Sequence, residues 1–271
     1  MNDLLARLID VIDRHDDLTV AVSGGVDSMT LAHVAHRFRR GPTHLVHAIS
    51  PAVPAVATAR VEDRAAREGW NLTILGSGEF SDPTYRANPA DRCYFCKSCL
   101  YDTIAKTVGG TVASGANLDD LDDYRPGLTA AGERGVVHPF IEAGLDKAAV
   151  RAIARLQGLD EIADLPAQPC LASRVETGIR IEADDLAFVD RVERDLRGRI
   201  EAEAKPDLRQ AATVRCRITR DGVAVEIGGV DTDFAEVAAT VAALCRAEGR
   251  RFVGLRPYRR GSAFLGTSTN G

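Results

Sequence analysis

Directly after a short apolar run, Leu18-Thr19-Val20-Ala21-Val22, stands the string Ser23-Gly24-Gly25-Val26-Asp27-Ser28, and Met29, Thr30, Leu31 and Val34 then begin a helical pattern. Two glycines let backbone N–H groups approach phosphate oxygens, the flanking serine hydroxyls add donors, and the helix dipole favours the anion. Asp27 cannot bind phosphate itself, but it is suited to hold the magnesium ion that accompanies one. The bland alternative is a strand-to-helix turn whose small polar residues only cap the helix. A loose glycine pattern would leave that alternative ahead; the whole string between strand and helix is far more specific. No lysine follows the glycines, so this is not a Walker loop.

The second chemical cluster is thiol. Asp91-Arg92-Cys93-Tyr94-Phe95-Cys96-Lys97 lies in the long segment after the third strand, with Cys99 just beyond and Cys170 in Pro169-Cys170-Leu171-Ala172-Ser173-Arg174. Cys93, Cys96 and Cys170 could supply three thiolates to a 4Fe–4S cluster beside the phosphate loop and leave one iron open for a transferable sulfide. Zinc with Cys99 as a fourth ligand, a redox dithiol, and buried small hydrophobes are the alternatives. For Cys216 and Cys245 the last reading is preferred. Lys97 is placed to contact phosphate or lower a thiol pKa, or else is a solvated lysine. Trp70 reads as core packing.

The elements that must position these groups follow from periodicity. Leu4, Leu5, Leu8, Ile9 and Ile12 recur at helical spacing. Apolar runs at 18–22, 45–49, 72–75 and 111–113 alternate with helical stretches at 29–38, 56–68 and 100–108. Such alternation predicts a parallel sheet covered on both faces. Val150, Ile153, Ala154 and Leu156 share one face of a further helix after Lys147, and the prolines at 166 and 169 then forbid a continuous helix. The linker is therefore expected between about 160 and 180, dividing the chain into domains 1–168 and 169–271. Beyond it, a helix at 184–197, strands at 214–218 and 223–227 turning through Arg220-Asp221-Gly222, a helix at 234–246 and a strand at 252–255 read as a small α+β domain. The tail after Leu265 is expected to fray.

Of 271 residues, 45% are hydrophobic and 27% charged, the balance of a packed globular protein. The formal net charge of -5 provides no positive field to gather a nucleic acid, which disfavours a large RNA substrate. No apolar run is long enough for a membrane span, and no export signal is read at the amino terminus, so a cytoplasmic protein without a disulfide framework is expected.

The loop resembles the PP-loop of ATP pyrophosphatases, which cleave ATP between the α and β phosphates and pass AMP to an acceptor oxygen. Four segments together, Ser23 to Ser28, Asn88 to Lys97, Asp122-Asp123-Tyr124-Arg125-Pro126-Gly127 and Cys170 to Arg174, resemble the LarE-type ATP-dependent sulfur transferases of nickel-pincer cofactor synthesis. That resemblance implies an α/β fold with a parallel-sheet, HUP-like ATP pyrophosphatase domain and a smaller carboxyl-terminal domain that binds substrate and forms a homo-oligomer. It implies a substrate, pyridinium-3,5-biscarboxylic acid mononucleotide, whose carboxylate is adenylated and converted to a thiocarboxylate. In one branch the cysteine matching Cys170 gives up its own sulfur and becomes dehydroalanine; a branch with the CxxC pair is thought to use a cluster. This sequence carries both features, so the resemblance implies the cluster branch, with Cys170 as a ligand beside Cys93 and Cys96.

On this resemblance the ATP site comprises Ala21, Ser23, Gly24, Gly25, Asp27, Ser28, Ser50 and Gly115, with adenine at the ends of the first two strands and Mg2+ on Asp27. Cys170, Asp27, Lys97 and Arg174 form the catalytic group, Lys97 and Arg174 steadying phosphate charge. Ser173, Arg215, Arg217 and Glu226 form a substrate or phosphate patch, strand alternation putting both arginines on one face. The arginine-rich stretch from Gly254 to Gly261 departs from the acidic pattern of the family. A tRNA-thiolating enzyme, an ammonia-dependent amidating enzyme and a non-catalytic ATP-binding iron–sulfur protein are the rivals; the acidic balance weighs against the first, and three cysteines against the second.

Overall fold

A computed structural model describes residues 3–122, 125–203, 213–229 and 233–259. Asp123 and Tyr124 of the third motif, Arg260 and Gly261, and the tail after Leu265 lie outside the described residues. The chain divides into two compact units, Met1–Tyr85 with Asp91–Gln168, and Arg86–Ala90 with Pro169–Gly271. The second unit thus also takes in Arg86–Ala90, a segment that a single cut in the sequence assigns to the first.

The first unit contains helices α1 (Asp3–Ile12), α2 (Val26–Phe38), α3 (Ala55–Glu68), α4 (Pro83–Arg86), α5 (Arg92–Thr107), α6 (Pro126–Glu133), α7 (Pro139–Glu142), α8 (Lys147–Leu156) and α9 (Asp160–Ala163). Its strands β1 (Leu18–Ala21), β2 (Thr43–Ile49), β3 (Leu72–Gly76) and β4 (Thr111–Ala113) form a parallel sheet in the order β3-β2-β1-β4. Neighbouring residues of β2 go to opposite sides. Leu45 joins a core with Leu8 of α1, Leu31 of α2, Val61 of α3 and Ile153 of α8. Val46 joins another with Ile104 of α5, Val112 and Ala131 of α6. Helices on both faces of a parallel sheet make this a Rossmann-like unit, as the strand–helix alternation predicted. Among the described residues, no helix is long and apolar enough to cross a membrane.

Two local readings need correction. The helix read from residue 100 begins at Arg92 and takes in all three closely spaced cysteines. Leu156 is half exposed, so the buried stripe of α8 is Val150, Ile153 and Ala154.

In the second unit, α10 (Ala183–Glu203) precedes β5 (Thr213–Thr219), β6 (Gly222–Gly228), α11 (Phe234–Ala247) and β7 (Phe252–Pro257). β5 and β6 are antiparallel, and β7 adds parallel to β6. Thr219 pairs with Gly222, so the turn residues are Arg220 and Asp221 and the glycine opens β6. A side chain there would strike the Arg251 carbonyl at 2.4 Å, which is why glycine is needed.

Asn88 is the pin of this unit. It is fully buried at φ 57°, and its Nδ2 donates to the carbonyls of Glu176 and Ile179, each at 2.9 Å, while its own carbonyl accepts from Gly178. Asparagine tolerates the left-handed region that alanine resists. Asn88→Ala is therefore expected to cost about 2–4 kcal/mol in urea unfolding, through orphaned carbonyls and strain. Asn88→Gly, which removes only the donors, is expected to recover about 1 kcal/mol of that loss.

Candidate functional site

Open parallel sheets bind ligands outside the carboxyl ends of their strands, where successive connections run in opposite directions. Here that point lies between β1 and β4. The loop after β1, Ser23–Ser28, and the loop after β4, Ser114–Asn117, come together there. A Cβ on Gly115 would stand 2.8 Å from the Ser28 backbone nitrogen, so only glycine allows this approach. Asn117, almost fully buried, donates from Nδ2 to Asp27 Oδ1 at 3.2 Å.

The loop is shaped by its own serines. Ser28 Oγ donates to the Gly25 carbonyl at 3.2 Å and accepts from the Ser23 N–H at 3.0 Å; Ser23 Oγ lies 3.0 Å from Ser28 Oγ. The Ser28 hydroxyl is buried inside the turn, while Ser23 is exposed. The backbone is open to an anion as well: Gly24 takes φ 81°, and Gly25 caps α2 with no side-chain hydrogen bond. Ala21 ends β1, and Ser50 follows β2 with its Oγ accepting from the Ala52 N–H.

Two cations that the sequence did not single out flank the loop. Lys147, at the start of α8, donates from Nζ to Asp27 Oδ2 at 2.5 Å. Asp146 caps that helix through the Ala149 N–H, and the Leu118 N–H bonds the Leu145 carbonyl, which fixes α8 against the β4 loop. Arg60 of α3 donates from Nη1 to the Gly24 carbonyl at 2.6 Å. The available signal was slight: Lys147 follows a capping aspartate, and Asn117 lies just past a strand. Ser114 Oγ stands 2.8 Å from His138 Nδ1, and burial pushes the His138 imidazole below its ordinary value, leaving it neutral at neutral pH. Asp27, with its carboxylate partly exposed and facing the crevice, fits a magnesium ion shared with a bound phosphate.

Cys93, Cys96 and Lys97 occupy the first two turns of α5; Cys93 is exposed and Cys96 half-buried. Lys97 lies against Gly127, where a Cβ would meet its Cγ at 3.1 Å, and its Nζ sits 6.0 Å from the Tyr101 ring centre. The second and third sequence motifs thus pack together. Burial, followed by the carboxylates of Asp82, Glu79 and Asp102, pushes the Cys99 thiol up and keeps it protonated. Cys216 and Cys245 are fully buried. Among the described residues, no group of three or more His, Cys, Asp or Glu is placed to hold a metal ion. Cys93 and Cys96 belong to the first unit and Cys170 to the second.

In the second unit Cys170 is exposed on a pinned backbone. Its carbonyl accepts from the Ser173 N–H at 3.1 Å, from Ser173 Oγ at 2.7 Å and from Arg174 Nη1 at 3.0 Å; Arg174 Nη1 also reaches the Pro169 carbonyl at 2.6 Å. The remaining donors of Arg174 form a fork on Glu193, at 2.9 and 3.0 Å. Glu193, unremarked in the sequence, also accepts from the Cys216 N–H and from Arg197. Burial opposes both charges, yet the pair holds the Glu193 carboxyl below and the Arg174 guanidinium above their ordinary values. Arg174 thus ties the Cys170 turn to Glu193.

Arg215 and Arg217 share one face of β5, as alternation required, but they differ in role. Arg217 donates from Nε and Nη2 to Glu226 and from Nη1 to the Ser173 carbonyl. Arg217 and Glu226 thus form a buried ion pair. Arg215 has a pKa lowered to about 10 by burial and by the charge of Arg174.

No family model matches the chain. It is 41% identical over 189 residues to an uncharacterized protein of Synechocystis, slr1717, covering 67% of this chain and 69% of that protein. It is 25% identical over 188 residues to an uncharacterized protein of Methanocaldococcus jannaschii, MJ0830, covering 68% and 71%. It is 29% identical over 197 residues to the pyridinium-3,5-bisthiocarboxylic acid mononucleotide synthase of Lactiplantibacillus plantarum, covering 71% of each.

Proposed function

The chain belongs to the family of its Synechocystis relative, a LarE-like family, and on that premise we propose that it is an ATP-dependent sulfur transferase acting on the carboxylate of a small pyridinium mononucleotide. The observation that carries the reading is the crevice itself, where an uncapped helix start, Asp27, Lys147 and Asn117 converge on a glycine turn of PP-loop sequence. Backbone donors and two nearby cations suit a polyphosphate, and Asp27 would hold its magnesium, which would neutralise phosphate charge. Adenine would lie at Ala21 and Ser50.

In this reading a carboxylate oxygen of the substrate attacks the α-phosphorus, the bond to the bridging oxygen breaks, and pyrophosphate leaves. The acyl adenylate then carries AMP as a good leaving group. The Cys170 thiolate adds to the acyl carbon and AMP departs; loss of the Cys170 Cα proton breaks its Cβ–Sγ bond. The products are a thiocarboxylate and a dehydroalanine at position 170, with no oxidant required. Ser173 and Arg174 keep Cys170 exposed, and the substrate phosphate goes to Arg215, a cation disfavoured by burial and eased by an anion. Lys97 steadies phosphate charge, and the 169–271 portion carries homo-oligomer contacts.

The second reading of the sulfur source is a 4Fe–4S cluster on Cys93, Cys96 and Cys170. It is favoured by the pairing of Cys93 and Cys96 on successive turns of α5, accessible in both cases. The deciding measurement pairs pyrophosphate release with mass spectrometry of product and protein. Cys170→Ala is expected to release pyrophosphate at the normal rate while thiocarboxylate falls to background, and the double replacement of Cys93 and Cys96 by serine is expected to keep both activities. Loss of sulfur transfer in the double variant, with iron and sulfide in anaerobically purified protein, would replace the sacrificial thiol by the cluster. Release of pyrophosphate with tRNA alone would overturn the small-molecule reading.

A further inference from the structure

Arg60 lies inside the charged-looking helix sequence Ala55–Glu68, where it resembles one more solvated arginine. The packing of α3 gives it another setting. A Cβ on Gly24 would come within 2.8 Å of the Ala57 carbonyl, so the helix is pressed against the glycine turn. One turn further along the same face, Arg60 reaches back to that turn. Its Nη1 donates to the Gly24 carbonyl at 2.6 Å and to Gln168 Oε1 at 3.0 Å. Both acceptors are neutral.

Of the three acidic residues of α3, Asp63 pairs with Arg67, Glu68 pairs with Arg64 and His33, and Glu62 is exposed. Among the described residues Arg60 makes no ion pair, and burial alone pushes its guanidinium below the ordinary arginine value. A half-buried cation held only by neutral oxygens has lost part of its hydration without gaining a counterion. It stands beside the uncapped start of α2, whose N–H groups favour an anion. The glycine turn therefore has a cation at each end, Lys147 at Asp27 and Arg60 at Gly24. Lys147 already has a carboxylate partner, so the uncompensated charge is on the Arg60 side.

We propose that Arg60 binds the phosphoanhydride tail of the nucleotide, taking a β- or γ-phosphate oxygen in place of the Gln168 amide. The assignment rests on the ATP reading above and adds a residue to it. Two cations bracketing one turn suit a group that carries charge on adjacent phosphates, which ATP and pyrophosphate do and AMP does not. After cleavage the same contact holds the leaving pyrophosphate, so Arg60 discriminates by phosphate number and leaves acyl-group recognition to other residues.

The test is calorimetric titration of the full-length wild type, R60Q and R60K with magnesium ATP, magnesium pyrophosphate and AMP. Glutamine keeps a donor for the Gly24 carbonyl and removes the charge. R60Q is expected to bind ATP and pyrophosphate roughly ten- to a hundredfold more weakly while AMP affinity hardly moves, and R60K to recover part of the loss. Equal affinity of R60Q and wild type for ATP, or an equal loss for AMP, overturns the assignment. Should R60Q fail to fold, the same ATP-to-AMP split in R60K supports it and its absence overturns it. Wild type that binds ATP but releases no pyrophosphate with the pyridinium substrate sinks the sulfur-transfer reading and leaves Arg60 standing; wild type that binds no ATP sinks both.

Discussion

Gly115→Ala is expected to weaken ATP binding at least a hundredfold and to remove pyrophosphate release at ordinary ATP concentrations. The added methyl would sit 2.8 Å from the Ser28 nitrogen, 3.0 Å from the Asp27 carbonyl carbon and 3.0 Å from Ser28 Cα. All three are backbone atoms, so no side chain can swing aside. The β4 loop must back away from the start of α2, and it carries Asn117 from Asp27 as it goes. The stability cost is expected to be about 1–3 kcal/mol, the usual range for overpacking, which leaves a folded protein with a disordered nucleotide site. Gly132→Ala is the control: a Cβ there meets nothing within 4 Å on an exposed face of α6, and alanine is expected to be neutral or to add about 0.5 kcal/mol. Loss of ATP affinity in both variants, or in neither, would refute the close approach as the cause.

Gly115 also shows how far the sequence carries. The Ser23–Ser28 string could be read because one contiguous segment holds strand, turn and helix start, and its neighbours along the chain are its neighbours in space. Lys147, Asn117 and Arg60 could not be read in the same way. Each reaches the loop from a different element, and a lysine or arginine on a helix with charged neighbours has the pattern of a solvated face. Glu193 is the extreme case: it sits in Arg191-Val192-Glu193-Arg194-Asp195, a run that looks wholly exposed, yet it is almost completely buried. The start of α5 was hidden for a related reason. Asp91 makes no side-chain cap, and the mixed sequence from Cys93 to Cys99 shows no apolar stripe, so periodicity became visible only from Leu100 onward.

Residue type fixes the charge of an arginine and leaves its partner open. Arg174 and Arg217 have the fork geometry that suits phosphate. Each forms an ion pair with a buried carboxylate, Glu193 and Glu226 respectively, while burial and the charge of Arg174 lower the Arg215 pKa to about 10. A buried carboxylate partner makes an arginine a structural clamp.

Glu193→Gln is expected to be the most destabilising single substitution in the second unit, by about 3–5 kcal/mol at neutral pH, because it leaves the buried Arg174 guanidinium without its charge partner. Denaturant unfolding would measure it. The same pair predicts how that loss depends on pH. Arg174 holds the Glu193 carboxyl below its ordinary value, so the unfolded chain takes up a proton at a higher pH than the native one does. The contribution of the pair is therefore complete above the ordinary carboxylate range, about pH 5, and declines as pH falls through the lowered native value. The gap between wild type and Glu193→Gln is expected to stay constant from neutral pH down to that range and to narrow below it. A gap that widens in acid would mean that the carboxyl is protonated in the native state, and the clamp would then be a neutral hydrogen bond. The consequence for chemistry is local. Arg174 donates to the carbonyls of both Pro169 and Cys170, so weakening its hold on Glu193 loosens the segment that presents the thiol. Alkylation of Cys170 under native conditions should then change in rate in Glu193→Gln while Cys216, enclosed in the strand, stays protected. An unchanged Cys170 rate in a measurably destabilised variant would separate the stability of this unit from the positioning of its exposed sulfur.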